Sequence, residues 1–157
     1  WLELCDLITQ HPEEVSAPGG GAVLNVEAIL RSGIRRFKNE IGRLWTSLAD
    51  YYIRKGMFEV ARDTYTEGMD AVVTVRDFSL LYDAFAQFEE SMISAKMEQQ
   101  QEGGEEEDED DDLDLRLCRL DHLISDRPAL LNAVVLRQNP HDVGEWFKRV
   151  KILSSKE

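Results

Sequence analysis

Residues 43–69 carry two apolar patterns with a helical period, separated by a single glycine. In the first pattern, apolar side chains recur at steps of three and four residues: Trp45, Leu48, Ala49 and Tyr52. After Gly56, similar steps of three and four connect Phe58, Ala61, Tyr65 and Met69. Residues at this spacing share one face of an α-helix, so each pattern predicts an amphipathic helix. Two such helices joined at Gly56 predict a helical hairpin over residues 40–73.

This hairpin matches the spacing of a 34-residue helix-turn-helix repeat, whose first helix carries Trp, Leu and Tyr at fixed positions. Similar apolar patterns start at other places in the chain, and we predict that each starting residue heads a first helix: Trp1, Trp45, Phe78, Leu113 and Trp146. The steps between them are 44, 33, 35 and 33 residues. Repetition near this period predicts an all-α fold, a right-handed α-solenoid of helical hairpins.

Breaks between the patterns define the expected segments. Proline and runs of glycine interrupt helices, and Ser, Thr, Asn and Asp favour their starts. We expect Asn25, Thr74 and Asp142 to be N-caps, the last two with an acid three residues later. The predicted order is a first helix (1–15), a flexible Gly-rich loop (16–23), a second helix (24–39), the central hairpin (40–73), a long aromatic helix (74–101), a disordered acidic loop (102–112), a helical hairpin (113–138) and the first helix of a truncated repeat (139–157).

The net charge of −13 is concentrated in the acidic loop. Ten acidic residues and no basic residue lie within 102–114, and the rest of the chain is nearly balanced at −3. A run of like charges repels itself and has no apolar side chains to bury, which predicts disorder. Such a loop could dock a basic partner, screen nearby RNA or simply keep the protein soluble.

Motifs for catalysis, cofactor binding and metal binding are missing from the sequence. Cys5 and Cys118 are isolated, which favours buried reduced thiols over a disulfide or zinc site. The three histidines lack a nucleophile at a recognisable spacing, and no phosphate-binding glycine motif occurs. No apolar run reaches the length of a membrane span. We therefore predict no enzyme, no cofactor, no metal, no small-molecule substrate and no membrane contact.

The expected partner surface is the one basic cluster in the sequence: Arg31, Arg35, Arg36, Lys38 and Arg43. Basic side chains attract the phosphates of RNA. An acid-rich chain repels nucleic acid overall, however, and no aromatic residues alternate with these basic ones. A solvated helix face is therefore the simpler interpretation, and direct RNA contact is expected to be minor or indirect.

The aromatic helix distinguishes between two kinds of repeat. In YDAFAQFEES, aromatic residues and an acid occupy Tyr82, Phe85, Phe88 and Glu89, where tetratricopeptide repeats carry small residues. This resembles the half-a-tetratricopeptide, or HAT, repeat. Longer strings, LWTSLADYYIRKGMFEVARDTY, VVTVRDFS and RPALLNAVVLRQNPHDVGEWFKRVKIL, resemble the central segment of the large HAT-repeat pre-mRNA splicing factors of the spliceosomal Nineteen complex, called XPA-binding proteins in animals. The resemblance covers most of the chain except 17–23 and about 97–112.

The resemblance implies a non-catalytic scaffold for protein assembly in the spliceosome, located in the nucleus. Its implied partners are other proteins of the Nineteen complex and of the intron-binding subassembly, and it also implies a link to transcription-coupled DNA repair. The alternative is a tetratricopeptide-type adaptor for chaperone or other peptide tails, which would need basic residues converging on a groove. The expected structural repeat positions are Trp1, Trp45, Leu48, Tyr52, Phe58, Ala61, Tyr65, Phe78, Tyr82, Phe85, Phe88, Glu89 and Trp146.

Overall fold

The structure is a computed structural model that describes residues 2–10, 25–37, 40–103 and 107–155. Within these ranges the regular structure is helical, without a strand, which confirms the predicted all-α class. The predicted Gly-rich loop (16–23) and Trp1 lie outside the described residues. The helices are α1 (Leu2–Gln10), α2 (Val26–Arg36), α3 (Ile41–Arg54), α4 (Phe58–Ala71), α5 (Val75–Gly103), α6 (Glu107–Gln138) and α7 (Val143–Ser154).

The chain forms two compact units, Trp1–Tyr82 and Asp83–Glu157. In the first unit α3 is central, because α1, α2 and α4 all pack against it. In the second unit α7 packs against α6. The fully buried large side chains of the first unit include Leu30, Leu44, Leu48, Tyr65, Phe78 and Leu81.

Helices α3 and α4 form the hairpin that the two apolar patterns predict. Gly56, in the turn between them, has a φ of 72°, a left-handed conformation that glycine adopts without a Cβ penalty. The amide of Gly56 donates to the carbonyl of Ile53 at 2.9 Å, and the amide of Met57 donates to the carbonyl of Tyr52 at 2.9 Å. These bonds satisfy carbonyl groups at the end of α3 and reverse the chain direction.

Two glycines set how closely the helices of the first unit approach. A Cβ at Gly68 of α4 would lie 2.6 Å from Cδ2 of Leu81 and 3.0 Å from Cγ of Trp45. A Cβ at Gly42 of α3 would lie 2.8 Å from the carbonyl oxygen of Asp77 in α5. Contacts under 3.0 Å essentially never occur between real Cβ atoms and their neighbours, so a Cβ at Gly42 would force the Asp77 backbone to move and a Cβ at Gly68 would force the Leu81 side chain to move. The absence of a Cβ at both positions therefore lets α3, α4 and α5 approach closely.

The three predicted N-caps are confirmed. The side chain of Asn25 accepts from the amide of Ala28, that of Thr74 from Asp77 and that of Asp142 from Glu145, each at 3.1 Å. Each bond satisfies one of the amides that a helix leaves unpaired in its first turn.

The cap at the start of α5 also joins two helices. The Thr74 hydroxyl donates to Oδ2 of Asp77 at 2.7 Å, while Oδ1 of Asp77 accepts from the amide of Gly42 at 3.3 Å. The carboxylate of Asp77 is buried and satisfies donors from both α3 and the α5 N-terminus. The sequence motif that starts α5 is therefore part of the packing of the first unit.

Helix α6 differs from the predicted hairpin over 113–138. It is one helix that continues through Pro128, so Leu113 does not head a separate first helix. Proline inside a helix removes one backbone hydrogen bond. Contacts to α7 hold the part of α6 that follows the proline. Arg149 donates to the carbonyl of Ala129 at 3.1 Å, and Nδ2 of the Asn132 side chain donates to the backbone carbonyl of Glu145 at 3.0 Å. These tertiary contacts outweigh the local signal to end the helix.

The acidic segment also differs from its prediction. The expected disordered loop (102–112) is helical from Glu107, where α6 begins, and α5 extends to Gly103. Acidic residues are favourable in the first turns of a helix, because the unpaired amides there carry partial positive charge. Asp112 also accepts from Nε of Arg116 one turn later, at 3.0 Å. Residues 104–106 lie outside the described ranges.

Candidate partner surfaces

The predicted basic cluster is divided by the structure, and Arg31 takes part in helix packing. Its Nε donates to Oε1 of Glu27 at 3.1 Å, one turn earlier in α2. Its Nη1 lies 3.3 Å from Oε2 of Glu67 in α4. Arg31 therefore connects α2 to α4, and its charge is shared with two carboxylates.

Tyr52 of α3 completes this network. A hydrogen bond with the Tyr52 side chain is the largest reason why the pKa of Glu27 lies below its ordinary value; burial acts in the opposite direction, and Arg31 adds to the lowering. Burial is the largest reason why the pKa of Tyr52 is raised, and its hydrogen bond with Glu27 comes next. Tyr52 was predicted from apolar spacing alone, yet its hydroxyl joins an ionic network across α2, α3 and α4.

The remaining members of the basic cluster face different surroundings. Arg35 and Arg36 are exposed in the last turn of α2, where positive charge complements the helix dipole. Arg43 lies 3.9 Å from Oε2 of Glu40, and Arg76 of α5 lies 4.0 Å from Oε1 of the same residue. Lys38 lies outside the described residues. Arg35 and Arg36 are thus the members of the cluster that form an exposed basic surface at the end of α2. The sequence pattern did not include Arg76, which lies near Glu40 in the structure but is distant from the cluster along the chain.

Most of the predicted repeat positions are buried, each at most 7% exposed: Trp45, Leu48, Tyr52, Ala61, Tyr65, Phe78, Tyr82, Phe85, Phe88 and Glu89. Phe58 is 39% exposed. It is the first residue of α4, where helical side chains lean toward the N-terminus, and this position accounts for its exposure. Trp146 is 50% exposed, which requires a separate explanation.

Helix α7 exposes one continuous apolar face. Its large side chains are all at least half exposed: Val143, Trp146, Phe147, Val150 and Leu153. Their spacing of three and four residues places them on one side of the helix. The opposite side, with Glu145, Arg149 and Ile152, is partly buried and faces α6. We call the exposed set the α7 face.

A groove of about 420 Å³ lies beside the α7 face. It is lined by Ala133, Leu136, Arg137, Pro140, Trp146 and Arg149. A hydrogen bond holds the indole of Trp146 against this lining, because Nε1 donates to the carbonyl of Pro140 at 2.9 Å. The groove therefore adjoins the α7 face through Trp146, and two arginines, Arg137 and Arg149, are among the residues that line it.

The described side chains do not suggest covalent chemistry. No group of three or more His, Cys, Asp or Glu residues is arranged for a metal ion within the described part of the chain. His122 lies 3.2 Å from Asp126, one turn later on α6. Cys5 is buried, whereas Cys118 is exposed, so the prediction of a buried thiol is wrong for Cys118. It lies on a solvent-facing side of α6. Among the described helices, none is long and apolar enough to cross a membrane.

Comparison with known proteins identifies the repeats. A sequence profile described as the pre-mRNA-splicing factor SYF1 middle HAT repeat matches residues 1–157. The chain is 59% identical over 152 residues to the pre-mRNA-splicing factor SYF1 of Homo sapiens and to that of Rattus norvegicus, which covers 97% of this chain. It is 49% identical over 157 residues to the syf1 homologue of Drosophila melanogaster.

The chain spans 17% of the length of each of these three relatives. A match over the full chain at this identity settles the family and confirms the expected helical-repeat solenoid class. The HAT resemblance read from the aromatic helix and the longer strings is confirmed as well. The chain belongs to the family of SYF1 middle HAT repeats.

Proposed function

We propose that this chain is a non-catalytic scaffold segment that holds spliceosomal proteins together during pre-mRNA splicing in the nucleus. The observation that carries the proposal is the family match over residues 1–157, since the matched relatives are named pre-mRNA-splicing factors. The proposed partners are other spliceosomal proteins, namely those of the Nineteen complex and the intron-binding subassembly.

The described side chains support binding over chemistry. Buried aromatic residues and close glycine contacts hold α3, α4 and α5 in fixed positions, and such rigid helices present extended surfaces to partners. Two described surfaces are open to partners: the arginines at the end of α2 and the apolar α7 face. Apolar and arginine-rich surfaces of this kind are typical of protein interfaces.

Affinity purification from nuclear extract tests the proposal, with the tagged chain as bait and mass spectrometry as the readout. We expect enrichment of spliceosomal proteins. Two glycine variants of the bait are compared. Gly68→Leu disrupts the packing of α4 against Trp45 and Leu81, and Gly144→Ala is the matched control because it changes an exposed glycine. Enrichment should be lost with the first variant and kept with the second.

The same purification distinguishes the scaffold from the alternative function, a tetratricopeptide-type adaptor. A tetratricopeptide-type adaptor would need several basic side chains that converge on acidic peptide tails, whereas Arg31 is already paired with Glu27 and Glu67. Recovery of chaperones without splicing proteins would overturn the scaffold proposal. A double variant, Arg35→Glu with Arg36→Glu, then shows whether the exposed end of α2 contributes to partner binding.

A further inference from the structure

One end of the first unit combines exposed arginines with exposed apolar side chains. Helix α2 ends with Arg35 and Arg36, and α3 begins five residues after Arg36. The start of α5 contacts the start of α3, because the amide of Gly42 donates to Oδ1 of Asp77 at 3.3 Å. The end of α2 and the starts of α3 and α5 therefore lie together. We call the exposed side chains at and beside these helix ends the arginine rim: Arg35, Arg36, Phe37, Arg43, Val73, Val75 and Arg76.

A carboxylate already lies between two arginines of the rim. Oε2 of Glu40 is 3.9 Å from Nη1 of Arg43, and Oε1 is 4.0 Å from Nη2 of Arg76. A close charge-assisted hydrogen bond between arginine and carboxylate is shorter, about 2.7–2.9 Å. The spacing of Arg43 and Arg76 thus accommodates one carboxylate group, and Glu40 occupies that position only loosely.

The Glu40 side chain does not stabilise the helix that follows it. Glu40 precedes α3 with a φ of 59°, a left-handed conformation that residues other than glycine seldom adopt. In the described structure its side chain makes no hydrogen bond to the first amides of α3, as a capping side chain would. The buried carboxylate of Asp77 accepts from the Gly42 amide instead. The Glu40 carboxylate can therefore leave the arginines without loosening the start of α3.

The apolar members of the rim favour a peptide over RNA. Phe37, Val73 and Val75 are 41%, 47% and 40% exposed. Bases of single-stranded RNA stack on successive aromatic rings, whereas Phe37 is the one aromatic residue among the described members of the rim. Valines pack against aliphatic side chains, and the planar guanidinium of arginine matches a carboxylate. The rim is therefore complementary to a segment that carries both acidic and aliphatic residues.

We propose that the arginine rim binds an acidic, aliphatic segment of a partner protein, and that a carboxylate of this segment replaces that of Glu40 between Arg43 and Arg76. Opposite charges attract the segment, and the exposed Val73 and Val75 hold its aliphatic side chains. The proposal rests on the scaffold function, since it states the chemistry of one partner. Its test uses the purified chain and a defined peptide, so it can fail while spliceosomal proteins are still enriched from nuclear extract.

Fluorescence anisotropy with a labelled peptide tests the surface. The probe is a copy of residues 105–115, EEEDEDDDLDL, which combines nine acidic residues with two leucines. We expect it to bind the full chain, and Arg76→Glu should weaken binding by about fivefold or more because repulsion replaces attraction. The matched control is Lys151→Glu, which reverses an exposed charge on α7 and should change the affinity by less than about twofold. Absence of binding, or equal losses in the two variants, would overturn the proposal.

A second pair of variants tests the replacement of Glu40. Glu40→Gln removes the carboxylate that competes with the peptide, so the peptide should bind about threefold more tightly or better. Glu98→Gln removes the same charge from an exposed position of α5 outside the rim and should leave the affinity nearly unchanged. Unchanged or weaker binding to Glu40→Gln would contradict the replacement, and so would an equal gain in Glu98→Gln.

Two further measurements exclude other occupants. An oligouridine RNA that binds more tightly than the peptide, and is weakened by Arg76→Glu, would assign the rim to nucleic acid. In sedimentation of the unmodified chain, a dimer that dissociates on Arg76→Glu would assign the rim to a second copy. Either result would overturn the proposal while leaving the scaffold function standing.

Discussion

Helices α3 and α7 carry equivalent apolar patterns with opposite outcomes. Trp45 is 3% exposed, whereas Trp146 is 50% exposed. Each tryptophan is followed four and seven residues later by further apolar side chains, Ala49 and Tyr52 in α3 and Val150 and Leu153 in α7. The difference lies in the neighbours: α3 is covered by helices that present Gly68 and Leu81, whereas α7 packs on α6 by its other side. An apolar stripe thus identifies the side of a helix that burial would favour. Whether that side is buried depends on a neighbouring helix, whose small residues allow it to approach.

The largest expected effect tests this contrast directly at the two tryptophans. Trp45→Ala removes a buried indole and should lower the free energy of unfolding by about 3–5 kcal/mol, the usual range for such core truncations. Trp146→Ala removes a half-exposed ring and should cost about 1 kcal/mol or less, as surface substitutions do. Urea denaturation followed by circular dichroism measures both.

Equal losses in the two variants would contradict the contrast, since they would mean that Trp146 is as well packed as Trp45. Phe147→Ala serves as the control for general damage to α7. Its ring is 72% exposed, and its removal should leave the urea midpoint unchanged within the error of the measurement.

A smaller effect is expected at the glycines that permit close packing. Gly68→Ala places a Cβ 2.6 Å from Leu81 and 3.0 Å from Trp45, so overpacking should destabilise by about 1–3 kcal/mol. This loss opposes a gain of about 0.5–1 kcal/mol that alanine brings to a helix interior. Gly144→Ala meets only the Asp142 side chain, at 3.2 Å, and should stay within about 1 kcal/mol of the native protein.

Thermal denaturation of the two glycine variants provides the measurement. A stabilised Gly68→Ala variant would show that Leu81 and Trp45 can move aside, and close approach would then not be the reason for glycine at this position. A large loss in Gly144→Ala would instead show that the α7 N-terminus is more tightly packed than its exposure indicates.

The comparison also shows what could be predicted from the sequence. The α3–α4 hairpin and the caps at Asn25, Thr74 and Asp142 depend on local spacing and local hydrogen bonds, so the residues alone were sufficient. The roles of Gly42 and Gly68 depend on residues from other helices, and neither glycine stood out in the pattern. The continuity of α6 through Pro128 depends on contacts with α7, and these are also distant in sequence.

The candidate surfaces were predictable only in part, for the same reason. The basic cluster was found by composition, but the pairing of Arg31 with Glu67 joins residues 36 positions apart. Tyr52 was assigned by apolar spacing, while its hydroxyl contributes to the pKa shift of Glu27 through a tertiary contact. The exposure of the α7 face could not be predicted, since a helical period does not indicate whether a neighbour is present.

The helix caps offer a third, smaller test of the same contrast. Thr74→Ala removes the cap of α5 and disturbs Asp77, whose buried carboxylate also accepts from Gly42. Asp142→Ala removes the cap of α7, which lies in a more exposed region. Both should destabilise by about 0.5–2 kcal/mol, with Thr74→Ala at the upper end because it leaves a buried group less satisfied. Urea denaturation of the two variants in parallel measures both losses of unfolding free energy. A smaller loss for Thr74→Ala than for Asp142→Ala would show that the Asp77 contacts contribute nothing to stability.

The smallest expected effect is on stability at acid pH. In each unit one glutamate carboxylate is stabilised by a different kind of partner. The pKa of Glu27 is lowered chiefly by the hydrogen bond with Tyr52, and that of Glu145 chiefly by the hydrogen bond with Lys148. A carboxyl group with a lowered pKa in the folded state binds fewer protons than the unfolded chain does. Its stabilisation is therefore present above the ordinary value of 4.5 and is lost as the pH falls through the folded pKa.

Glu27→Gln and Glu145→Gln should each flatten the decline of unfolding free energy below about pH 4.5. Salt separates the two sites, because Lys148 is a charged and largely exposed partner whereas the Tyr52 hydroxyl is neutral. In about 0.5 M salt the effect of Glu145→Gln should shrink more than that of Glu27→Gln. Tyr52→Phe should flatten the acid-side decline as Glu27→Gln does, and an unchanged slope in that variant would show that the cations Arg31 and Lys55 stabilise the Glu27 carboxylate without Tyr52.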